Sequence, residues 1–293
     1  MTSAADRVPA PLLGLAGIVS VQFGGALAAT LVPVIGAGGS VVLRLLCASA
    51  LRLASVRPRW RGHARRARLT VIAFGVALGL MNFTFYSSLA HLPIGVAVTI
   101  EFIGPLSLAA ALSRRWLDAV AVAAAAAGVV LISEALSTPF ADLEKTGIAL
   151  ALLAGAFWAA YIVLAGRTGG EFPKLEGLAL AMVVATVVTL PLGITSAPTW
   201  SPDILLKAFG IAVLSSVLPY SLELLALRRL SAKVFGILLS LEPAFAALAG
   251  LLVLGQVLSP TQLVGMALVV AASALVLGLG ARQKPDPAEA AST

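Results

Sequence analysis

The sequence predicts an all-α integral membrane protein with ten transmembrane helices in two inverted five-helix repeats. Three observations support this fold class. Hydrophobic residues make up 60% of the 293 residues and charged residues only 11%, and the mean hydropathy is +1.03, a composition typical of membrane proteins. The chain can be divided into ten apolar segments, and its two halves resemble each other. A soluble globular protein is therefore not expected.

The ten segments each have about the 20 apolar residues that a helix needs to cross a bilayer. They cover approximately residues 12–32, 38–56, 69–89, 93–113, 116–134, 147–166, 175–196, 203–226, 232–253 and 260–281. No small-residue cleavage site follows the first segment, which is long enough to span the membrane, so it is expected to be an uncleaved first helix. Residues 1–11 form the N-terminus, and residues 282–293, rich in Pro and Ala, form a tail that is expected to be disordered.

The basic residues indicate the orientation in the membrane. They are concentrated in the segments on one side: Arg52, Arg57, Arg59, Arg61, Arg65, Arg66, Arg68, Arg114, Arg115, Arg167, Lys174, Arg228, Arg229 and Lys233. The positive-inside rule places this side and both termini of the multi-pass chain in the cytoplasm. The arginine cluster between Arg57 and Arg68 can alternatively bind anionic membrane lipid. The basic residues lie between apolar segments, so nucleic acid is not expected as a partner.

A weak internal repeat relates the two halves. Residues Gly75 to Leu106 align with Val213 to Ala244 at a constant offset, and Pro105 falls on Pro243. With five spans per half, the second copy enters the membrane in the opposite sense, which is a common plan of secondary transporters. The predicted domains are a first repeat over residues 12–134, an external loop over 135–146 and a second repeat over 147–281.

Four ionisable residues interrupt the apolar segments: Arg44, Glu101, Glu223 and Glu242. A charge at the centre of a membrane helix costs roughly 2.5–3.5 kcal/mol on insertion scales, so such residues usually face a polar cavity on a solute or ion pathway. Glu101 and Glu242 lie within one turn of equivalent places in the repeat, whereas Arg44 and Glu223 have no charged counterparts. We therefore expect a chemically asymmetric cavity in a pseudo-symmetric frame.

Helical spacing adds neutral polar residues to this cavity. Ser216, Tyr220 and Glu223 follow an i, i+4, i+7 pattern, and Asn82 and Tyr86 an i, i+4 pattern, so each set shares a helix face. Further candidates in other spans are Gln22, Trp158 and Tyr161. Hydrogen bonds that tie membrane helices together are the alternative role for all of these neutral residues.

Three prolines lie near the predicted site. Pro105, Pro219 and Pro243 each remove a backbone donor, which kinks a helix and frees carbonyl groups. A gating hinge or an opened turn at the site is the functional interpretation, and ordinary kinked packing is the alternative.

Several short strings resemble the drug/metabolite transporter superfamily, in the branch built from two EamA domains, and within it the bacterial inner-membrane threonine and homoserine exporters. The strings are Gln22-Phe23-Gly24-Gly25, Leu43-Arg44-Leu45, Met81-Asn82-Phe83-Thr84-Phe85-Tyr86, Glu101-Phe102-Ile103-Gly104-Pro105-Leu106, Pro219-Tyr220-Ser221-Leu222-Glu223 and Ser240-Leu241-Glu242-Pro243-Ala244. The resemblance runs from Leu12 to Leu277. It implies proton-driven efflux of small amino acids and related metabolites by alternating access.

The charged residues fit such a substrate. A zwitterion at mid-membrane needs a cation for its carboxylate and an anion for its ammonium group. Arg44 can bind a carboxylate with two hydrogen bonds, and Glu101, Glu223 or Glu242 can accept the ammonium group. These glutamates repel one another, so at least one is expected to carry a proton in one conformation and to exchange it for substrate. Alternatively, Arg44 pairs with one glutamate and only links two helices.

Other functions fit the sequence less well. Within transport, the alternative is export of another metabolite or of a cationic drug-like compound. A membrane enzyme is not expected, because His63 and His91 are far apart and no HExxH, GxSxG or P-loop pattern is present. A sensor without transport would not need charges at mid-membrane. The expected partners are substrate, protons and lipid; no catalytic residue, metal or cofactor is expected, and a homodimer is an alternative to a monomer.

Overall fold

The computed structural model describes residues 8–28, 30–60, 62–134, 136, 139, 143–254 and 258–281. Within these ranges the chain is nearly all helical and contains no strand. The N-terminal residues 1–7, the predicted tail 282–293 and residues 135, 137–138 and 140–142 of the predicted external loop lie outside the described residues. The helical class predicted from the sequence is confirmed.

The helices follow the predicted segments in order. They are α1 (Ala10–Ala28), α2 (Val32–Val56), α3 (Arg65–Ser88), α4 (Ile94–Ala111), α5 (Trp116–Ile132), α6 (Lys145–Glu171), α7 (Glu176–Gly193), α8 (Pro202–Leu227), α9 (Ala232–Leu239), α10 (Glu242–Leu254) and α11 (Pro260–Ala281). A short 3₁₀ helix, Ile194–Thr199, follows α7.

Seven helices in the described part of the chain are long and apolar enough to cross a membrane. They are α2, α3, α4, α6, α7 with its 3₁₀ extension, α8 and α11. Two further apolar helices are shorter, over Ala10–Gly25 and Trp116–Ile132. The predicted ninth span is divided into α9 and α10. A multi-pass membrane protein is therefore confirmed, whereas ten full spans remain a prediction.

Two of the three predicted prolines follow a backbone irregularity. The helix α8 contains a π-helical turn over Val213–Val217, two residues before Pro219. The break between α9 and α10 at Ser240 and Leu241 comes directly before Glu242 and Pro243. Pro105, in contrast, lies inside the continuous helix α4. The helix is thus interrupted before Pro243 and continuous at Pro105, and a hinge or opened turn that serves gating remains a prediction.

The helices form one bundle in which helices of the two sequence halves pack closely against each other. The helix α6 packs on α3 and α4, α1 packs on α8, α9 and α10, α7 packs on α2 and α3, and α5 packs on α11. At the crossing of α4 and α6, Gly104 meets Gly155, and a Cβ on either residue would collide with the backbone of the other helix. An ion pair of 2.9 Å between Lys233 Nζ and Asp118 Oδ2 joins the start of α9 to the first turn of α5.

Candidate functional site

A cavity of about 140 Å³ lies inside the bundle, and it brings the four predicted ionisable residues together. Seven helices contribute to its wall: α1, α2, α3, α4, α6, α8 and α10. The lining residues are Val21, Gly25, Arg44, Met81, Asn82, Phe85, Tyr86, Glu101, Trp158, Tyr161, Ser215, Tyr220, Glu223 and Glu242. Nine of the residues predicted to bind substrate are in this set.

The guanidinium of Arg44, the positively charged group of the cavity, contacts neutral side chains. Arg44 on α2 is buried, with 5% of its surface exposed, and its Nη2 donates a hydrogen bond to Oδ1 of Asn82 on α3. The guanidinium carbon lies 5.3 Å from the ring centroid of Tyr86, a cation–π distance. Asn82 is oriented in turn, because its Nδ2 donates to the Leu78 carbonyl at 2.8 Å and to the Tyr220 hydroxyl at 3.0 Å.

Arg44 forms no ion pair with the glutamates of the cavity. Ion pairs of the described residues include those of His91 with Glu144 and of Lys233 with Asp118, and neither involves Arg44. A static link between Arg44 and one glutamate, the structural alternative considered for the sequence, is therefore not found. The guanidinium has five N–H donors, and its neutral partners leave its charge available to an anion.

Glu223 is fixed by a phenol. The Tyr161 hydroxyl on α6 donates a hydrogen bond of 2.6 Å to Oε2 of Glu223 on α8. The rings of Tyr161 and Tyr220 are 5.9 Å apart, so the two phenols lie side by side between Glu223 and Asn82. On the side of α1, a Cβ at Gly17 would be 3.6 Å from Cγ of Glu223. The helix α1 thus passes close to this carboxylate.

Glu101 and Glu242 complete a group of three carboxylates. Glu101 on α4 is buried, and Glu242 is the half-buried first residue of α10. Glu101 interacts electrostatically with Glu242, and Glu242 with Glu223. Beside Glu101, the Phe102 ring meets Trp158 edge to face, with centroids 4.9 Å apart. The cavity therefore combines one guanidinium with three carboxyl groups, of which Glu242 interacts with both others.

Two predicted residues are not on the cavity wall. On α1, Val21 and Gly25 line the cavity and Gln22 does not. On α8, Ser215 lines the cavity instead of Ser216. The reason is the π-helical turn, in which the Leu218 N–H bonds to the Val213 carbonyl five residues earlier. A π turn contains one more residue than an α turn, so the i, i+4, i+7 pattern does not continue through it.

The apolar wall residues do not stand out in the sequence, because polarity in an apolar segment identifies only the polar part of a cavity wall. Met81 and Phe85 directly precede Asn82 and Tyr86 on α3. The predicted position of these two polar residues on the wall was therefore the available signal for Met81 and Phe85. Ser215 was missed because hydrophobic spacing does not reveal a π turn. Pro219, which has no N–H to donate to the preceding turn, was the one signal for that irregularity.

Comparison with known proteins gives the family. The family model described as "EamA-like transporter family" matches residues 145–278. The chain is 39% identical over 262 residues to the protein named threonine/homoserine exporter RhtA of Escherichia coli K12, covering 88% of each chain. It is also 39% identical over 265 residues to RhtA of Salmonella typhimurium LT2, covering 89% of each.

The crystal structure of another protein has the same fold. It superposes with a TM-score of 0.75 at 19% identity, and the match covers 94% of this chain and 100% of the solved one. At that identity the likeness concerns the fold alone. The fold, the family match and the extent of the 39% identity agree. The chain therefore belongs to the EamA-like transporter family of the drug/metabolite transporter superfamily.

Proposed function

We propose that the protein exports small amino acids of the threonine and homoserine type, and related metabolites, across the bacterial inner membrane. The observation that carries this proposal is the unpaired charge of Arg44 in a cavity that also contains three glutamates. The 39% identity to the RhtA exporters supports the choice of substrate.

A bound amino acid would pair its two charges with opposite charges of the cavity. Its carboxylate would bind Arg44, whose guanidinium can donate two parallel hydrogen bonds, and its ammonium group would bind among Glu101, Glu223 and Glu242. Unpaired charge in a low-dielectric interior is strongly penalised. Because each charge of the zwitterion finds an opposite charge, binding offsets part of the cost of removing all of them from water.

The architecture proposed for transport is ten spans in two inverted five-helix repeats, residues 12–134 and 147–281. If the two halves are related, a contact between two spans should recur between the equivalent spans of the other half. The contact between α3 and α6 then corresponds to the contact between α8 and α1. The contact between α4 and α6 corresponds to the contacts of α9 and α10, which together form the ninth span, with α1. All of these contacts are present. This agreement supports two structurally related halves, with a site between them where such transporters bind substrate.

We propose that both termini are cytoplasmic and that the cycle is alternating access. The cationic segments between helices support the orientation through the positive-inside rule. The break before Pro243 and the π turn before Pro219 are places where the backbone departs from the α-helix. Such places are suited to gating; at Pro105 the continuous helix would bend instead.

Proton coupling through the glutamates is part of the proposal. Three carboxylates around one guanidinium leave an excess of negative charge when all are ionised. A proton on one of them removes part of this repulsion, and an arriving ammonium group would make that proton dispensable. Exchange of a proton for substrate then follows from competition for the same carboxylates.

The experiment is counterflow of labelled threonine and homoserine into proteoliposomes. We expect saturable counterflow in the intact protein, its loss in Arg44→Ala, and a changed pH dependence in at least one of Glu101→Gln, Glu223→Gln and Glu242→Gln. Gln22→Ala, a residue off the cavity wall, is the control and should transport normally. Absence of counterflow by the intact protein would reject these substrates.

Export of a cationic compound is the second candidate, because three carboxylates outnumber the one guanidinium. The two candidates differ in their need for Arg44. A cation has no carboxylate to bind, so its transport would persist, or improve, in Arg44→Ala. Loss of cation transport together with amino-acid transport would argue against a separate cation pathway.

A further inference from the structure

Gly25 on α1 leaves space in the wall of the cavity that its neighbours do not fill. It lines the cavity, and a Cβ built on it would have no heavy atom of the described residues within 4 Å. The preceding residue, Gly24, differs, because a Cβ there would collide with the Ser215 side chain and with the backbone of α8. Gly24 therefore allows α1 to pack closely on α8, and that reason does not apply to Gly25. Glycine inside a helix is less favourable than alanine, so the empty space needs another explanation.

The empty space at Gly25 lies on the inner side of α1. The outer side is marked by Phe23 and Val19, whose side chains are 56% and 37% exposed. Successive residues of an α-helix are about 100° apart, so Gly25 lies on nearly the opposite side of the helix from Phe23. Val21, one turn before Gly25, lines the same cavity. A side chain at this position would therefore project into the cavity and not away from the bundle.

The cavity is small enough for one side chain to matter. Its volume of about 140 Å³ is well below the ~300–1,000 Å³ typical of sites for drug-sized ligands. The four ionisable residues of the wall come from α2, α4, α8 and α10, whereas α1 contributes only the apolar Val21 and Gly25. Once the carboxylate and the ammonium group of a substrate bind the ionisable residues, its side chain has to occupy the rest of the cavity, of which α1 forms one wall.

We propose that Gly25 and Val21 set the upper size limit of the transported amino acid, because they determine how much of the cavity its side chain can use. This inference rests on the amino-acid export proposed above and adds the residues that select among amino acids by size. In an apolar pocket, one carbon more or less on the ligand typically changes specificity by about 10–200-fold. A methyl group added at Gly25 would take space from the substrate, and truncation of Val21 would release space to it.

The experiment measures counterflow of three amino acids in proteoliposomes: serine, threonine and β-hydroxynorvaline. They share the backbone and the hydroxyl group, and each is one carbon larger than the one before. Rates at low concentration give two preferences, threonine over serine and β-hydroxynorvaline over threonine, for the intact protein, Gly25→Ala, Val21→Ala and Gly170→Ala. Gly170→Ala is the matched control, because it adds the same methyl group to a helix at a position with open space away from the cavity wall.

We expect the preference for threonine over serine to fall by about 10-fold or more in Gly25→Ala and to stay unchanged in Gly170→Ala. In Val21→Ala, the preference for β-hydroxynorvaline over threonine should rise by a similar factor, a gain that a misfolded protein cannot produce. An unchanged preference in either cavity variant, or an equal fall in Gly170→Ala, overturns the inference. Failure of the proposed function is distinguishable, since then the intact protein transports none of the three amino acids.

Discussion

Arg44 donates its hydrogen bond to Asn82, a neutral residue on the next helix, and not to any of the three glutamates in the same cavity. An amide oxygen orients the guanidinium without neutralising it. Asn82 is held by a backbone carbonyl and by the Tyr220 hydroxyl, so the orientation is set by three helices. The guanidinium therefore keeps its charge at a fixed position on the cavity wall, where the proposed substrate carboxylate would bind.

Replacement of Asn82 by Asp should impair transport more than replacement by Ala. Asp has the same shape as Asn but would pair with Arg44 and compete with the substrate carboxylate. We expect the KM for threonine to rise about 10-fold or more in Asn82→Asp, with a smaller rise in Asn82→Ala, as measured by counterflow. An unchanged KM in Asn82→Asp would contradict this role for Arg44.

Tyr161→Phe should weaken transport, and the whole effect should arise from the lost contact with Glu223. The substitution removes the hydroxyl that donates to the carboxylate, an interaction worth about 1.5–3 kcal/mol for a charged partner. We expect a loss of transport rate of about 10-fold, and no further loss when Tyr161→Phe is combined with Glu223→Gln. Independent, additive losses in the double variant would show that the two residues act separately.

Gly155→Ala should destabilise the protein, because the new Cβ would collide with the Glu101 carbonyl of α4. Overpacking of this kind typically costs about 1–3 kcal/mol. Thermal unfolding in detergent should show a clearly lower Tm. Gly170→Ala, in the same helix but with no atom near its Cβ position, is the control and should leave Tm unchanged or slightly higher; equal shifts would contradict a local collision.

Lys233→Ala should also destabilise the fold. The Asp118 side chain is 3% exposed and the Lys233 side chain 24%, so the substitution leaves a buried carboxylate without its cation. We expect a loss of about 1–3 kcal/mol of unfolding free energy, much of it restored in Lys233→Arg. Chemical denaturation at constant pH measures both variants, and a Lys233→Ala protein as stable as the intact one would show that the pair contributes nothing.

The sequence was sufficient to predict the helical class and the four ionisable residues that meet in the cavity. Arg44, Glu101, Glu223 and Glu242 could be recognised because the cost of charge in lipid leaves few places for such residues. Their grouping in one cavity followed from that cost alone. The hydrogen-bond partner of Arg44 could not be predicted from the sequence, because a guanidinium can donate to an amide oxygen or to a carboxylate with similar geometry.

The exact register along two helices could not be predicted. An α-helical period continued through the π turn predicts Ser216 and does not identify Ser215, and polarity as the criterion for facing the cavity predicts Gln22 and does not identify Val21. The break before Glu242 was equally hidden, since the repeat-related helix around Pro105 is continuous. Tertiary contacts decided each of these details.

The backbone contact between Gly104 and Gly155 has a consequence for how the polypeptide can be divided. It joins a helix of the first sequence half to a helix of the second, and α1 is packed in the same crosswise manner on α8, α9 and α10. A gene divided between the codons of Ile132 and Lys145 would therefore yield two fragments, and each fragment would lack helices against which its own helices pack. Such fragments should be active only when they are produced in the same cell.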